Sequence, residues 1–373
     1  MKKIVFFVPC FASGGAEAFI VNVAEKLDRT RFEPVILSID EQESVYDERL
    51  KKAGIIRTVL INEPIPNPIK RYLKSYKVFK QYLQKNASDI YAIHFNIAQG
   101  EELPFISISK KAGIRIRIMH SHNSSVNSRY KYYGHVICKK LYGNKATHYC
   151  ACSDVAAEWL VPQKILKSGD YSIIQNGIDT LRYKFSPDAR KQKRTELGIQ
   201  HQTIYLNIGR LGNQKNQAFL LKVYAQINRK NTDSVLLIAG EGSLRAELEK
   251  QTAELGLSDR VRFLGNRTDI PELLSAADVF LLPSLFEGLP FTLIEAQNSG
   301  LPCIVSENVS EQCALTELVK RVPLDEKQYC DAVLQTKISD NESRELYPEV
   351  IKNCGFDINM TVDILQKNYY GEN

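Results

Sequence analysis

The chain has 373 residues, of which 44% are hydrophobic and 25% charged, and its formal net charge is +6. This length favours two domains over one, and the composition excludes a disordered or fibrous chain. No apolar run reaches the roughly 18 residues of a membrane-spanning helix, so none is expected.

The first predicted strand, Lys3–Pro9, is a continuous apolar run typical of a parallel strand that is buried on both faces. We interpret it as a strand and not as the core of a signal peptide, because the run is short and ends at Ser13–Gly14–Gly15. These glycines precede a predicted helix, Ala16–Leu27. They are compatible with a plain tight turn or with a phosphate site built from free backbone N–H groups.

Further apolar runs alternate with helical patterns up to about residue 180, as in a doubly wound parallel sheet. They are Pro34–Ser38, Arg57–Ile61, Ile90–His94, Ile114–Met119 and His148–Cys152. The eight cysteines of the chain show no zinc-binding spacing, and several lie in such runs, so a reducing, cytoplasmic environment is expected.

Basic residues are concentrated in one part of this first series. Residues 51–150 contain 18 lysines and arginines but 4 acidic residues, a net charge of +14. The predicted helices Ile69–Lys85 and Arg129–Lys140 combine lysines with tyrosines, a composition that is typical of helices that bind an anionic membrane surface. A solvated lysine face packed on the sheet is the alternative for either helix, and we favour the membrane because both helices are basic.

Two histidines follow the fifth predicted strand, in the order His120, Ser121, His122 and Asn123. Ligands of open parallel sheets bind beyond the carboxyl ends of the strands. No third metal-ligating side chain stands at a suitable spacing, so a polar role in a cleft is favoured over a metal site. A capped loop is the alternative.

A domain boundary is predicted near residue 180, in a charged segment that contains Pro187. A second alternating series of strands then begins at Thr203–Ile208. Its first loop places Arg210 and Lys215 before a helix, where two cations, free N–H groups and the helix dipole favour an anion. Two solvated charges are the alternative. The second loop contains Gly240 and Gly242, a pattern that is weak evidence on its own.

Two carboxylates, Glu287 and Glu295, stand eight positions apart near the end of this series. Glu287 lies in a loop, and Glu295 lies more than one turn inside a helix that begins after Pro290. Both carboxylates fit one crevice, although two surface acids are the simpler interpretation.

Five segments together resemble the retaining glycosyltransferases of family 4, which have the GT-B fold. They are FASGGAE at 11–17, NGID at 176–179, GRLGNQKN at 209–216, AGEG at 239–242 and EGLPFTLIE at 287–295. The segments HSHN at 120–123 and FDI at 356–358 resemble the bacterial exopolysaccharide and capsule enzymes.

The resemblance implies an α/β fold of two doubly wound, Rossmann-like domains that face a central cleft. Residues 1–180 with 359–373 are expected to form the acceptor-binding domain, because the last helix crosses back to it in this family. Residues 181–358 are expected to bind the nucleotide-sugar donor.

The resemblance also implies roles for single residues. Arg210 and Lys215 hold the diphosphate, Glu295 binds the ribose hydroxyls, and Glu287 contacts the transferred sugar. His122 lies near the transferring carbon, with His120 as its rival for that place and Asn123 where many relatives have Asp. The other expected donor contacts are Gly14, Gly15, Gly209, Gly240, Gly242, Leu289, Pro290 and Phe291.

The expected activity is transfer of a hexose or N-acetylhexosamine, with retention, from a nucleotide sugar to a lipid-linked glycan. UDP-sugars are the favoured donors, and the expected pathway makes exopolysaccharide, capsule or another surface polysaccharide. The chain contains no Asp-x-Asp, and the Arg–Lys pair can take the place of a metal, so no metal or other cofactor is expected. A peripheral position at the inner face of the plasma membrane is expected from the basic segment.

Three other classes of function stay open. The chain is compatible with a sugar-nucleotide epimerase or hydrolase of similar fold, and with a non-catalytic protein that binds sugar nucleotides. A nucleic-acid-binding protein is disfavoured, because the basic segment has no recognised nucleic-acid motif and the second domain is acidic.

Overall fold

The computed structural model describes residues 1–12, 14–123, 129–368 and 370. Ser13 of the predicted turn, and residues 369 and 371–373 of the predicted last segment, lie outside the described residues. The contacts divide the chain into a first unit, Met1–Gly177 with Ile358–Asn373, and a second unit, Ile178–Asp357.

The first unit is built on seven parallel strands in the order β3-β2-β1-β4-β5-β6-β7. They are β1 (Lys2–Cys10), β2 (Phe32–Asp40), β3 (Ile56–Ile61), β4 (Ile90–Ile97), β5 (Ile116–Ser121), β6 (His148–Ala151) and β7 (Ser172–Ile173). The centre of β1 is fully buried, because helices cover both faces of a parallel sheet.

Among the described residues, eight α-helices belong to the first unit, and one of them is the α16 helix near the end of the chain. They are α1 (Gly15–Lys26), α2 (Asp47–Lys52), α3 (Pro68–Asn86), α4 (Leu103–Lys111), α5 (Arg129–Tyr142), α6 (Asp154–Leu160), α7 (Gln163–Ser168) and α16 (Ile358–Asn368). Side-chain caps begin two of these helices, since Asn67 accepts from the Lys70 amide and Ser153 accepts from the Ala156 amide.

The second unit repeats this architecture with six parallel strands in the order β10-β9-β8-β11-β12-β13. Its strands are β8 (Thr203–Ile208), β9 (Ser234–Ala239), β10 (Val261–Gly265), β11 (Val279–Leu282), β12 (Cys303–Ser306) and β13 (Val319–Val322). Its helices are α8 (Pro187–Glu196), α9 (Gln217–Lys230), α10 (Arg245–Glu254), α11 (Ile270–Ala276), α12 (Phe291–Asn298), α13 (Glu326–Leu334), α14 (Asn341–Arg344) and α15 (Tyr347–Asn353). The predicted fold of two Rossmann-like α/β domains is confirmed.

Each unit has its own apolar core. In each sheet there is one point at which the chain reverses the direction in which it adds strands, and we call it the division point. In the first unit the chain moves outward from β1 to β3 on one side and from β4 to β7 on the other. In the second unit, β8 and β11 flank the corresponding point. Loops that follow two such strands diverge and leave a crevice at the carboxyl edge, where ligands of this kind of sheet bind.

The structure differs from the sequence-based prediction in one helix of the second unit. The helical pattern of the sequence predicts a single helix over Asn341–Lys352, but the segment forms α14 and α15 with a break before Tyr347. Pro348 explains the break, because proline has no N–H and its ring clashes with the carbonyl four residues earlier. It therefore begins a helix and does not continue one.

No helix among the described residues combines the length and the apolar character needed to cross a bilayer.

Candidate active site

Two loops of the second unit meet at the carboxyl edge of its sheet. One follows β8 and runs from Gly209 to Asn216, and the other follows β11 and leads to α12. Because β8 and β11 are hydrogen-bonded neighbours, the loops that leave their ends lie side by side. This is the division point of the sheet, so the strand order itself places a binding site here.

A buried ion pair joins the two loops. The ammonium of Lys215 lies 2.6 Å from Oε1 of Glu287, and the two side chains are 16% and 8% exposed. The stem of Lys215 crosses Gly209, where a Cβ atom would lie 2.8 Å from Lys215 Cε. A side chain at position 209 would therefore displace Lys215 from Glu287.

Polar side chains beneath the loops fix this arrangement. Asn207 donates from Nδ2 to the Leu281 carbonyl at 2.7 Å, and Asn216 donates to the Pro283 carbonyl at 3.2 Å. The Leu285 amide donates to the Gln214 carbonyl at 2.8 Å. Asn207 is not among the residues predicted from sequence, although an asparagine inside the apolar strand Thr203–Ile208 is a signal that points to it.

Arg210 supplies the remaining positive charge of the site. Its side chain is exposed and has no hydrogen-bonding or ionic partner within the residues that the structure describes. Since Lys215 and Glu287 neutralise each other, Arg210 gives the two loops a net positive charge. Such a site attracts an anion, and a lysine ammonium with three donors can bind it while keeping its carboxylate partner.

Gly240 and Gly242 bring a third loop against the first one. A Cβ on Gly240 would lie 2.1 Å from the Gly209 carbonyl oxygen, and one on Gly242 would lie 2.2 Å from the Leu211 carbonyl oxygen. Gly240 also has a φ of 139°, which favours glycine. These glycines therefore allow backbone to pack on backbone, and their contact with a donor stays a prediction.

Helix α12 begins beside Glu287 and carries Glu295. Within the described part of the chain, the amides of Leu289 and Phe291 donate to no protein acceptor, while Pro290 has no N–H to offer. Glu295 is one turn inside the helix, is 8% exposed and takes part in a further contact. Two free amides at the start of a helix are suited to oxygen atoms of a ligand.

Cys313 holds the loop before α12. Its thiol donates to the Gly288 carbonyl at 3.0 Å. Burial, assisted by the Glu287 carboxylate, raises the pKa of this thiol to about 12, so it stays a donor. No pattern in the sequence around Cys313 points to this contact.

The amide of Gly14 in the first unit is not free, so it is not one of the free backbone N–H groups on which the phosphate-site interpretation of this turn depends. Glu17 accepts the Gly14 amide with Oε2 at 3.1 Å and the Ala12 amide with Oε1 at 3.2 Å. A carboxylate of the helix therefore occupies the start of α1, which begins at Gly15. The approach of Gly14 and Gly15 to a donor stays a prediction.

A cluster of histidines lies at the carboxyl ends of β4 and β5. His120 is fully buried, while His122, just past the end of β5, is half-buried and Asn123 follows it. The His120 and His122 rings are 4.1 Å apart between centroids. His122 Nε2 is 2.9 Å from Asn96 Oδ1, and His120 Nδ1 is 3.1 Å from His94 Nε2.

All three histidines are held in the neutral form. Burial lowers the pKa of His94 and of His122 to about 3, and it lowers the pKa of His120 well below its usual value. His122 is the one of the three that retains exposed surface, so it is the one a ligand can reach directly. In the described ranges, no three His, Cys, Asp or Glu side chains group as ligands for a metal ion.

Two family models match the chain in succession. Residues 13–182 match the model described as Glycosyltransferase Family 4, and residues 189–332 match the model described as Glycosyl transferases group 1.

Curated relatives and solved structures agree with these matches. The chain is 28% identical, over 99% of its length and 96% of the relative's, to the putative glycosyltransferase EpsF of Bacillus subtilis. It is 40% identical over 148 residues, 38% of each chain, to an Escherichia coli UDP-Gal:alpha-D-GlcNAc-diphosphoundecaprenol alpha-1,3-galactosyltransferase. The crystal structure of Anabaena HepE with UDP and glucose covers 98% of this chain and 99% of HepE, with a TM-score of 0.77 at 21% identity. The similarity to HepE concerns the fold, and it confirms the predicted GT-B type.

Proposed function

Because the chain belongs to the glycosyltransferases of family 4, we propose that it transfers a hexose or N-acetylhexosamine from a nucleotide sugar to a lipid-linked glycan. UDP-sugars are the favoured donors, as in the printed name of the Escherichia coli relative. The glycan belongs to an exopolysaccharide, capsule or similar surface polymer.

The observation that carries this proposal is the cationic site at the division point of the second sheet. Lys215 and Arg210 lie on one loop, and the free amides of α12 lie on the neighbouring loop. Glycosyl transfer breaks the bond between the anomeric carbon and the diphosphate, and the electron pair leaves with the diphosphate. Fixed cations and amides at that position stabilise the departing charge more than they stabilise the bound substrate.

Transfer with retention needs the acceptor hydroxyl to attack from the side on which the diphosphate leaves. We propose that the leaving phosphate accepts the proton of that hydroxyl as the new glycosidic bond forms. Glu287 is already held by Lys215 at 2.6 Å, so its second oxygen is suited to a sugar hydroxyl. Glu295 is proposed to bind the ribose, and His122 of the first unit is proposed to contact the transferred sugar.

A metal is not part of this proposal. The Arg210 guanidinium and the remaining donors of the Lys215 ammonium are proposed to take the place that a divalent cation has on the diphosphate in other transferases. Turnover is therefore expected to persist in the presence of a chelator, and loss of turnover with EDTA that added Mg²⁺ restores would contradict metal independence.

Substitution of Lys215 tests the function directly. Lys215→Ala removes a cation from the leaving diphosphate, so kcat should fall about 100- to 1,000-fold, the usual cost of losing one group that stabilises transition-state charge. A panel of UDP- and other nucleotide sugars is first screened by thermal shift, and transfer to a lipid-linked acceptor is then measured by product analysis. Lys222→Ala, on an exposed position of α9, is the matched control and should keep full activity.

Product analysis also separates the proposal from its alternatives. An epimerase or hydrolase would convert the UDP-sugar without any acceptor, and a binding protein would give a thermal shift without turnover. Full activity of Lys215→Ala would overturn the proposed role of the site.

Association with an anionic membrane is proposed for the first unit. Helices α3 and α5 both contact Glu101. The hydroxyl of Tyr76 in α3 donates to the Glu101 carbonyl at 2.9 Å, and the Glu101 carboxylate lies beside Gly134 in α5. We call the exposed apolar residues of these two helices the α3–α5 face, which consists of Ile69, Tyr72, Leu73, Tyr132, Tyr133, Val136, Ile137 and Leu141. Exposed lysines on the same helices include Lys70, Lys74, Lys77, Lys131 and Lys140.

Exposed apolar side chains and lysines on the same helices fit the interface of an anionic bilayer. The apolar side chains enter the acyl boundary, and the lysines meet the lipid phosphates. Lys139 is excluded from this surface, because its ammonium donates to the Glu158 and Trp159 carbonyls at 2.7 Å and 3.0 Å. One of the positive charges of α5 is therefore bound to carbonyl groups of the protein itself and does not add to the basic surface.

A pair of leucine substitutions tests the membrane proposal. Leu73 on the α3–α5 face and Leu346 in the second unit are 66% and 68% exposed. Leu73→Asp should weaken binding to phosphatidylglycerol vesicles about tenfold or more. The substitution removes one apolar side chain that would enter the bilayer, and it adds a negative charge that the anionic lipid repels. Leu346→Asp should bind as the wild type does. Equal binding of both variants, or binding that ignores salt and lipid charge, would contradict the proposal.

A further inference from the structure

Tyr370, just beyond the last helix, lies at one end of a row of buried polar rings in the first unit. Its hydroxyl oxygen is 2.8 Å from His94 Nδ1, and His94 Nε2 is 3.1 Å from His120 Nδ1. All three side chains are completely buried. The row therefore connects the last segment of the chain to the strand end that carries His122.

The phenol determines the direction of these hydrogen bonds. Burial raises the pKa of Tyr370, so the phenol keeps its proton. Within the described residues, His94 Nδ1 is the one acceptor that its O–H has, and a buried donor without an acceptor is costly. The hydroxyl therefore donates to Nδ1 of His94. His94 then carries its own proton on Nε2 and donates it to Nδ1 of His120, which leaves the proton of His120 on Nε2, a buried nitrogen without a partner among the described residues. The reverse order would leave the phenol O–H unpaired instead, and we favour the first order because a phenol is the stronger donor and an imidazole nitrogen the stronger acceptor.

The protonation of His122 follows from a separate contact. Asn96 donates from Nδ2 to the carbonyls of His94 at 3.1 Å and Phe7 at 3.4 Å, so its Oδ1 is an acceptor. His122 donates to that oxygen from Nε2 at 2.9 Å. Its Nδ1 therefore carries a lone pair, and this buried nitrogen has no partner in the described part of the chain.

Aromatic contacts connect the row of hydrogen bonds that ends at His120 with the His122 ring. The His120 and His122 rings are 4.1 Å apart between centroids, and Phe19 packs against both rings at 4.8 Å and 5.1 Å. The orientation of His120 thus decides the surface on which the His122 ring rests.

We propose that Tyr370 is a positioning residue for His122: its hydroxyl orients His94 and, through His94, the His120 ring against which His122 packs. In this arrangement the buried Nδ1 of His122 is an acceptor without a partner among the described residues, and it would have to be uncovered to accept a hydroxyl group of the sugar substrate. The substrate half of this inference rests on the proposed function, whereas the order of protons along the row does not.

The order of protons is tested by nitrogen NMR of protein labelled with ¹⁵N-histidine. The chain has six histidines, and single substitutions assign the signals of the three in the cluster. His94, His120 and His122 should each show a protonated Nε2 and a bare Nδ1 at neutral pH. A protonated Nδ1 on His120 or on His122 would overturn the proposal. In Tyr370→Phe, the His94 and His120 signals should shift or broaden, while the His122 Nε2 proton should persist.

The positioning role is tested by kinetics on the full chain. Tyr370→Phe keeps the ring and removes one hydroxyl, so kcat/KM should fall about tenfold, the effect of one lost hydrogen bond of ordinary strength. The matched control is Tyr149→Phe, which removes a hydroxyl that is 3.5 Å from the Ala146 carbonyl in the same unit and should leave kcat/KM unchanged. Equal effects of the two substitutions would contradict a specific role for Tyr370.

A double-mutant cycle separates positioning from simple destabilisation. If Tyr370 acts through His94, then Tyr370→Phe should cause no further loss in a chain that already carries His94→Phe. Independent, additive losses would contradict the row of hydrogen bonds as the route, and His94→Gln replaces His94→Phe if the latter does not fold. Should the wild type transfer no sugar at all, the proposed function fails, and the NMR experiment still decides the order of protons.

Discussion

The neutral histidines have a consequence for stability at the scale of single residues. A buried imidazole that cannot take up a proton in the folded chain takes one up readily once the chain unfolds. The unfolded state then binds more protons than the folded state below the ordinary pKa of histidine, so acid favours unfolding.

We expect the free energy of unfolding of the first unit to fall between about pH 7 and about pH 5.5. His94 and His122 have pKa values of about 3 in the folded chain against an ordinary value of 6.5, so the lost stability lies below pH 6.5. Each histidine contributes up to about 1.4 kcal/mol per pH unit in that window. Urea unfolding followed by the fluorescence of Trp159, the single tryptophan, reports on this unit.

His94→Phe serves as the comparison for this experiment. It removes one of the groups that take up a proton on unfolding, so its stability should decline less steeply with acid than that of the wild type. A wild-type stability that stays constant over this window would contradict the neutral state of the cluster.

At the scale of elements, the loops after β8 and β9 depend on close backbone contact. Gly242→Ala places a methyl group where the Leu211 carbonyl oxygen is 2.2 Å away, so the loop that carries Arg210 must move. Transfer should fall at least about tenfold, and the second unit should lose about 1–3 kcal/mol of stability, as overpacked sites do. Activity assays and urea unfolding measure the two effects.

Gly212→Ala is the matched control for Gly242→Ala. Gly212 lies in the same group of loops, but a Cβ on it would meet no atom within 4 Å. Its substitution should leave transfer and stability close to the wild type. Loss of transfer in both variants would show that the close contact at Gly242 is not the cause.

The central strands were predictable from sequence because each is an uninterrupted apolar run bounded by polar residues. The edge strands β7 and β13 were not predicted. β7 has two residues, and β13 contains Lys320 and Arg321, so neither shows the apolar run that predicts a buried strand. In α3, Phe79 and Leu83 lie on one apolar helix face by their spacing, and both are buried.

The same spacing does not show where a helix extends beyond the sheet that it covers. Ile69 and Leu73 share the apolar face of α3 with Phe79, yet both are exposed. Periodicity describes one helix face, and the burial of that face depends on the neighbouring elements, which the sequence of the helix does not contain.

The candidate site was predictable as a set of residue types and loops, but its pairings were not. The ion pair between Lys215 and Glu287 depends on the order of strands, which places β11 next to β8. His94 and Tyr370 are separated by 276 positions, so no local pattern could join them. Sequence analysis therefore identified His120 and His122 but missed the residues behind them.

At the scale of the whole molecule, the first unit depends on the last segment of the chain. The α16 helix belongs to this unit, Gln366 accepts the Asp28 amide at 2.9 Å, and Ile358, Leu365 and Tyr370 are completely buried. Deletion of the chain after Asp357 would expose this apolar surface and remove the donor to His94.

We expect that deletion to unfold or strongly destabilise the first unit while the second unit stays folded. Burial of one large apolar side chain stabilises the folded state by about 1.5–3 kcal/mol. The loss of three such side chains therefore removes a large share of the about 5–15 kcal/mol by which an ordinary domain is stable. Trp159 fluorescence should report a loosened first unit, and UDP should still stabilise the remaining cooperative transition. A deleted chain with an unchanged Trp159 transition would contradict this dependence.

The division of the chain also decides the order in which the units are completed during translation. The second unit is continuous, and its two ends are joined by the pairing of Ile178 with Asp357 and by a 2.6 Å hydrogen bond from Thr180 to Asp357. The ribosome therefore finishes this unit while the first still lacks α16. Although domains generally fold in the order of synthesis, the first unit is completed only after the second. Until Tyr370 emerges, the second unit of a nascent chain is complete, while the histidine cluster of the first unit still lacks its final hydrogen-bond donor.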